Sequence, residues 1–153
     1  MRIREYQAAD LEEIIELFRT TVHTVNAADY TPEQLQAWTA DIRPELWRAS
    51  LLAHHSLVAV ADGRLAGFAD MDNNGYLDRL YVHKDYQRRG IATALCDRLE
   101  QDCAAPRLFT HASLTARPFF EKRGYALVAR RETERRGVLL SNFLMEKTRQ
   151  RSA

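Results

Sequence analysis

Apolar residues recur at helical spacing through the first third of the chain and then at strand spacing through the middle. Leu11, Ile14, Ile15, Phe18 and Val22 fall on one face of a helix, and Asp10 with Glu13 forms a capping-box pattern at its start. Ahead of it, Arg2 to Tyr6 alternates polar and apolar as a first strand does. Val22 to Thr31 reads as a polar loop carrying His23, Asn26, Asp29 and Tyr30. Thr31-Pro32 then opens a second helix, with Thr31 as N-cap, Pro32 at the first position, and Leu35 and Trp38 on a common face. A further helical segment, Pro44 to Ala53, contributes Leu46, Trp47 and Leu51.

From Ser56 the period changes. Leu57 to Ala61 predicts a buried strand, Asp62-Gly63 its turn and Arg64 to Met71 its hairpin partner. A second turn, Asp72 to Gly75, leads into the strand Tyr76–Val82. Ile91, Ala94, Leu95 and Leu99 predict a helix over Gly90–Cys103, and a strand Arg107–Ala112 follows Pro106. Ser113 or Thr115 caps a short helix that ends at Gly124. Tyr125 to Thr133 and Val138 to Glu146 form a closing hairpin around Arg135-Arg136-Gly137. Residues 1–147 are expected to make one domain and 148–153 a frayed tail.

Composition removes several classes. At 153 residues the chain can bury one core, and 46% hydrophobic with 28% charged residues is ordinary for a globular protein. A net charge of +1 gives no field that would gather nucleic acid or an anionic membrane. There is no apolar run near the ~20 residues of a membrane span and no apolar leader after Met1, so a cytoplasmic protein without membrane contact is expected. Cys96 and Cys103 lie seven apart on one helix, ~10 Å along its axis, too far for a disulfide while the helix is intact. They read as buried or half-buried thiols, and no Cys/His spacing suggests a metal site.

The most informative stretch is Gln87-Arg88-Arg89-Gly90-Ile91-Ala92, where a strand hands over to a helix N-terminus. The first four N–H groups of a helix have no internal partner and carry positive partial charge. Gly90 and Ala92 keep side-chain bulk away, while Arg88 and Arg89 add formal charge, so this stretch reads as a cradle for a pyrophosphate.

The six residues match Gln/Arg-x-x-Gly-x-Gly/Ala and resemble the acetyl-coenzyme A signature of the GNAT superfamily of N-acetyltransferases. A second stretch, Ala116 to Tyr125, is similar to that family's later A-x-x-F-Y-E-K-x-G-F block. The resemblance implies an α/β fold with a central mixed sheet of roughly six to seven strands flanked by about four helices. Two parallel central strands, Tyr76–Val82 and Arg107–Ala112, would splay apart to admit acetyl-coenzyme A. The cofactor would lie along Leu80, Tyr81 and Val82, with Gln87, Arg88, Arg89, Gly90, Ile91, Ala92 and Thr93 around its pyrophosphate and Ser113 and Phe120 beside its arm. A backbone N–H near Tyr81 or Val82 would face the thioester oxygen.

For the chemistry, Asp78 is a candidate base or ammonium anchor, since strand alternation puts Tyr76, Asp78, Leu80 and Val82 on one face. An ion pair with a neighbouring strand is the other reading of Asp78, and by resemblance Tyr76 stands where some relatives carry the base. The family's usual tyrosine acid is replaced by Phe120, leaving Tyr81, Tyr125 or Ser113 as candidate donors, or an unassisted thiolate with pKa near ~8.5. The resemblance places the acceptor, a small-molecule or protein amine, among His23, Tyr30 and Trp38 and the final hairpin with Arg135 and Arg136. A lone His after an amphipathic helix is more often a solvated or capping residue than a base, and Trp38 more often core than a ligand platform. A homodimer is compatible with the chain. Loss of the tyrosine acid keeps one alternative open, an acyl-coenzyme A sensor without turnover.

Overall fold

The computed structural model describes residues 1–150. Seven strands form one sheet, β1 (Arg2–Glu5), β2 (His55–Ala61), β3 (Arg64–Met71), β4 (Tyr76–Val82), β5 (Arg107–Ser113), β6 (Ala126–Arg135) and β7 (Val138–Thr148), in the order β1-β2-β3-β4-β5-β7-β6. All neighbours are antiparallel except β4 and β5. Five α-helices cover it: α1 (Leu11–Thr24), α2 (Pro32–Thr39), α3 (Pro44–Ala53), α4 (Ile91–Asp102) and α5 (Arg117–Lys122). The sequence pattern predicts all of them, one more than the family resemblance implies. Among the described residues no helix is long and apolar enough to cross a membrane.

The sheet separates two apolar clusters. On one face α1, α2 and α3 bury Ile14, Phe18, Val22, Leu35 and Leu51 against Val58 and Phe68. On the other, Ile91, Leu95 and Leu99 of α4 pack with Leu77, Leu108 and Met145. Alternation along each strand supplies both clusters from the same segments. Gly67 lets α4 come close: a Cβ there would meet Ile91 Cγ2 at 3.0 Å and the Tyr81 carbonyl at 3.1 Å.

Several local expectations change. Asp10 does not cap α1 with Glu13; its carboxylate accepts from the Gln7 backbone N–H at 2.8 Å and from both terminal nitrogens of Arg4 at 2.9 Å, one turn earlier. Glu13 instead accepts from the Leu65 N–H at 2.7 Å, pinning α1 to the sheet. The expected loop after Val22 is largely ordered turn: α1 runs on to Thr24, and a 3₁₀ turn follows over Asn26–Ala28. Ser113 Oγ accepts from Ala116 N–H at 3.0 Å ahead of α5, whereas Thr115 donates to Asp29.

The tail also differs from a frayed end at its start. Thr148 belongs to β7, and Arg149 donates to the Ala105, Glu100 and Cys103 carbonyls at 3.2, 2.7 and 2.5 Å. A guanidinium at the end of α4 meets the negative pole of the helix. Residues 151–153 lie outside the described residues.

Candidate functional site

The parallel pair β4–β5 is in register only at Tyr76↔Phe109 and Leu77↔Thr110, where Thr110 Oγ1 also donates to the Leu77 carbonyl at 2.8 Å. Beyond that point the strands diverge. On the other side of β4 the register slips, with Met71 opposite Leu77 but Asp70 opposite Arg79, so Asp78 is the extra residue of a β-bulge. The bulge overturns one expectation. Leu77, Leu80 and Val82 pack on the α4 face, whereas Tyr76 stacks on Phe109 at 5.1 Å and lines the opposite side with Arg79 and Tyr81. Tyr76 therefore does not share a face with Leu80 and Val82.

A strand bonded on one side only leaves alternate peptide groups free on the other. His83 N–H donates to the Ala66 carbonyl of β3 at 2.8 Å, so Tyr81 turns its backbone to β3 as well. Leu80 and Val82 turn theirs into the gap, and the Val82 carbonyl there accepts from Gln87 Nε2 at 2.6 Å and Thr21 Oγ1 at 3.3 Å. Of the two amides expected to face a thioester, Val82 qualifies by direction and Tyr81 does not.

At the mouth of the gap the chain enters α4 through two left-handed residues, Arg88 at φ 61° and Gly90 at φ 79°. Alternating left-handed residues turn successive N–H groups to one side. Ala94 is the first residue of this turn whose N–H finds a protein acceptor, the Gly90 carbonyl at 3.0 Å. Among the described residues none stands against the amides of 89–92. A Cβ on Gly90 would meet nothing within 4 Å, so the space beside the loop is open.

A cavity of about 350 Å³ runs from this loop into the gap. It brings together Leu80, Tyr81, Val82, Gln87, Arg88, Gly90, Ile91, Ala92, Thr93, Ser113 and Phe120. Arg89 is left out; its guanidinium lies over the Tyr86 ring, 5.1 Å from the centroid. Thr21, Asn26 and Phe119 line the cavity without having been anticipated. Phe119 belongs to the quoted Ala116–Tyr125 stretch, whereas Thr21 and Asn26 have no sequence signal beyond lying at the end of the first helix. Phe120 is 2% exposed and packs edge-on against Tyr125, so the expected acid position is an apolar wall.

A second cavity, of about 460 Å³, opens on the α1–α3 side of the sheet. Trp38, Asp78, Tyr81, His111 and Ser113 line both, marking where the two meet. All three catalytic candidates, Asp78, Tyr81 and Ser113, are at this junction. Burial pushes the Tyr81 hydroxyl far above its usual pKa, so it stays protonated. Burial, helped by the charge of Arg131, pulls His111 below its usual value, so its imidazole is neutral at pH 7. Its Nδ1 lies 3.3 Å from the Tyr76 hydroxyl, whose own pKa burial pushes up to about 12.

Asp78 is half-exposed, with His54 Nδ1 at 4.0 Å and Arg79 at 3.9 Å. Behind it Asp70, fully buried, receives His54 and Arg79 at 2.7 Å each. Burial pushes the Asp70 carboxyl up, while that hydrogen bond raises the His54 pKa. His54, Asp70 and Asp78 bring three ligand atoms within 4.8 Å of one another, but the Arg79 guanidinium already neutralises the charge a metal would need.

The remaining candidates scatter. Tyr30 lines the second cavity, yet its hydroxyl is engaged, donating to the Ser141 carbonyl at 2.8 Å and accepting from Leu114 N–H at 2.9 Å. His23 lies outside both cavities, 2.8 Å from Thr39 Oγ1 across α1 and α2. Tyr125 is also remote: its buried hydroxyl donates to Glu100 at 2.8 Å. Arg135 lines the second cavity, whereas Arg136 forms a two-point pair with Asp41 at 2.6 and 3.0 Å. The buried Cys96 thiol, pushed up to about 12 by burial, is no nucleophile at neutral pH.

A splayed parallel pair, a bulged central strand and a left-handed loop feeding a helix define a class, and comparison with known proteins agrees. Residues 26–148 match the family model described as the acetyltransferase (GNAT) domain, and the chain belongs to that family. It is 34% identical over 145 residues to the Escherichia coli K12 protein named uncharacterized N-acetyltransferase YafP, covering 95% of this chain and 94% of that one. A crystal structure of a GCN5-related N-acetyltransferase from Rhodopseudomonas palustris superposes with a TM-score of 0.91 at 33% identity, over 96% of this chain and 94% of that one. The PaiA N-acetyltransferase of Thermoplasma acidophilum, solved in complex with coenzyme A, shares the fold at a TM-score of 0.76 and 23% identity, over 96% and 98% of the two chains.

Proposed function

We propose that the chain transfers an acetyl group from acetyl-coenzyme A to a primary amine by direct attack of the amine on the thioester. The observation that carries this reading is the junction itself. A gap into which Leu80 and Val82 turn their backbone leads from unpartnered helix-start amides to five residues shared with a second cavity. Bound there, acetyl-coenzyme A supplies an activated acyl carbon and a thiolate leaving group.

The protein's own groups divide the work. The amides of 89–92, with Arg88, hold the pyrophosphate. The Leu80 peptide group receives the pantetheine arm as an added strand, and the Val82 N–H, whose carbonyl is already held by Gln87 and Thr21, supports the oxygen on which charge develops. Asp78 draws the acceptor ammonium to the junction. His111, neutral at pH 7, takes one proton from that ammonium so that the nitrogen lone pair can attack, and the second proton, lost once the C–N bond has formed, balances the one the thiolate takes up on leaving. Tyr81, held protonated at the junction, can donate a hydrogen bond to the thiolate as the C–S bond breaks.

Thiol release on mixing acetyl-coenzyme A with a panel of amines tests the reading. Calorimetry of coenzyme A binding to the wild type and to Gly90→Glu tests the cradle separately, and equal affinities would remove it. The apolar Phe120 favours one second reading, a module that binds acyl-coenzyme A without turnover. Cofactor affinity with no thiol release from any amine would select it.

A further inference from the structure

The second cavity has a charge pattern that the transfer reaction does not need. Its floor is one face of β5, β7 and β6, on which Ser113 pairs with Asn142 and Asn142 with Arg131. Alternation along β6 puts Arg131, Thr133 and Arg135 on this face. Arg130, Glu132 and Glu134 fall on the other, so β6 gives the cavity positive charge only.

The neighbouring charges are largely neutralised already. Asp41 is held by Arg136 at 2.6 Å, and Arg79 by Asp70 at 2.7 Å. Arg135 acts on Asp41 only through longer-range attraction, and Arg131 lies close enough to Tyr76 and His111 to act on both, opposing the rise at the first and adding to the fall at the second. Among the described residues no carboxylate lies within ion-pair distance of Arg131 or Arg135. With Asp41 paired to Arg136 and Arg79 to Asp70, two unpaired guanidiniums face Asp78, which lies at the junction end with Arg79 at 3.9 Å. Asn142 stands between Ser113 and Arg131 on this floor. Trp38, Trp47 and Tyr76 wall the space between the two charged ends.

The geometry points to an acceptor that carries a carboxylate on the same molecule as its amine: a free amino acid or a close analogue. This rests on the transferase reading and adds the substrate class to it. The ammonium lies against Asp78 beside the thioester, the carboxylate against Arg131 and Arg135, and the side chain among the aromatic walls. The cavity, about 460 Å³, falls in the range of small-molecule sites, roughly 300–1,000 Å³. A guanidinium fork suits a carboxylate better than any neutral group.

The test sets matched acceptors side by side: the common α-amino acids, β-alanine and γ-aminobutyrate, each beside its carboxamide and its decarboxylated amine. Thiol release from acetyl-coenzyme A reads turnover, and calorimetry on protein loaded with coenzyme A reads binding. At least one acid is expected to exceed both of its partners in kcat/KM by about tenfold to a hundredfold, the scale of one hydrogen bond to a charged group. Arg131→Glu should raise KM for that acid and shift preference toward the decarboxylated amine, while a merely structural role would depress all three alike. Binding of acids without turnover would support the anion site and overturn the transfer reading. Turnover that favours the amides or bare amines, or failure of every acid to bind, would overturn the anion site.

Discussion

The two cavities meet at five residues but are made differently. The first is mostly backbone: the left-handed turn at Arg88 and Gly90, the unpaired start of α4 and the open edge of β4. The second is mostly side chains, drawn from α1, α2, α3, β4, β5, β6 and β7. Peptide groups are the same in every sequence, so the first cavity needs only the right small residues at a few positions. The second takes its character from whichever side chains the fold brings together. One fold can thus keep a common donor and change its acceptor.

The sharpest way to break this contrast is Gly90→Glu, which places a like charge in the mouth of the cradle. Coenzyme A affinity should fall on the order of a hundredfold or more, as expected for two to three kcal/mol of lost anion binding. Gly90→Ala meets no neighbour and should lose far less, since the left-handed backbone costs only about 1–2 kcal/mol with a Cβ. If both variants bound coenzyme A like the wild type in calorimetry, the backbone cradle would be wrong.

Removing Asp78 by Asn should act on the other cavity alone. The expected loss is about a hundredfold in kcat/KM for the acceptor, with coenzyme A affinity unchanged. A parallel loss of cofactor binding would show that the bulge supports both cavities. His111→Gln sharpens the same point through pH. A base must be unprotonated to act, and burial places the His111 pKa below its usual 6.5. The wild-type kcat/KM should therefore rise with pH through a limb below 6.5 and then level off, and the variant should lose that limb.

Gly67→Val tests how far the first cavity depends on packing. The Cβ would press on Ile91 Cγ2 at 3.0 Å and the Tyr81 carbonyl at 3.1 Å, so destabilisation of about 1–3 kcal/mol is expected in denaturant unfolding. The smallest effect belongs to His54. Its pKa is raised by the hydrogen bond to Asp70, so its contribution to stability is complete below 6.5 and is lost as pH rises through the raised value. Melting temperature should decline modestly over that window, and His54→Gln should flatten the decline.

Much of the first cavity was legible beforehand because its requirements are local. A strand, Gln87 to Ala92 and an amphipathic helix are contiguous in the chain. Eleven of the twelve cofactor positions expected from it line one cavity, and only Arg89 does not. The hairpins and helices were legible for the same reason: caps, turns and apolar periods are properties of short segments. What the sequence could not supply was register. A single extra residue at Asp78 turned Tyr76 to the opposite face from Leu80 and Val82, and no periodicity rule announces a bulge formed by pairing with β3. Nor could it show that His111, Arg131 and Asn142, from three strands, share a cavity with Trp38 while His23 lies outside it. Local chemistry determined what each segment is. Long-range pairing decided which side chains meet, because their separation in space depends on strand order and twist rather than on distance along the chain.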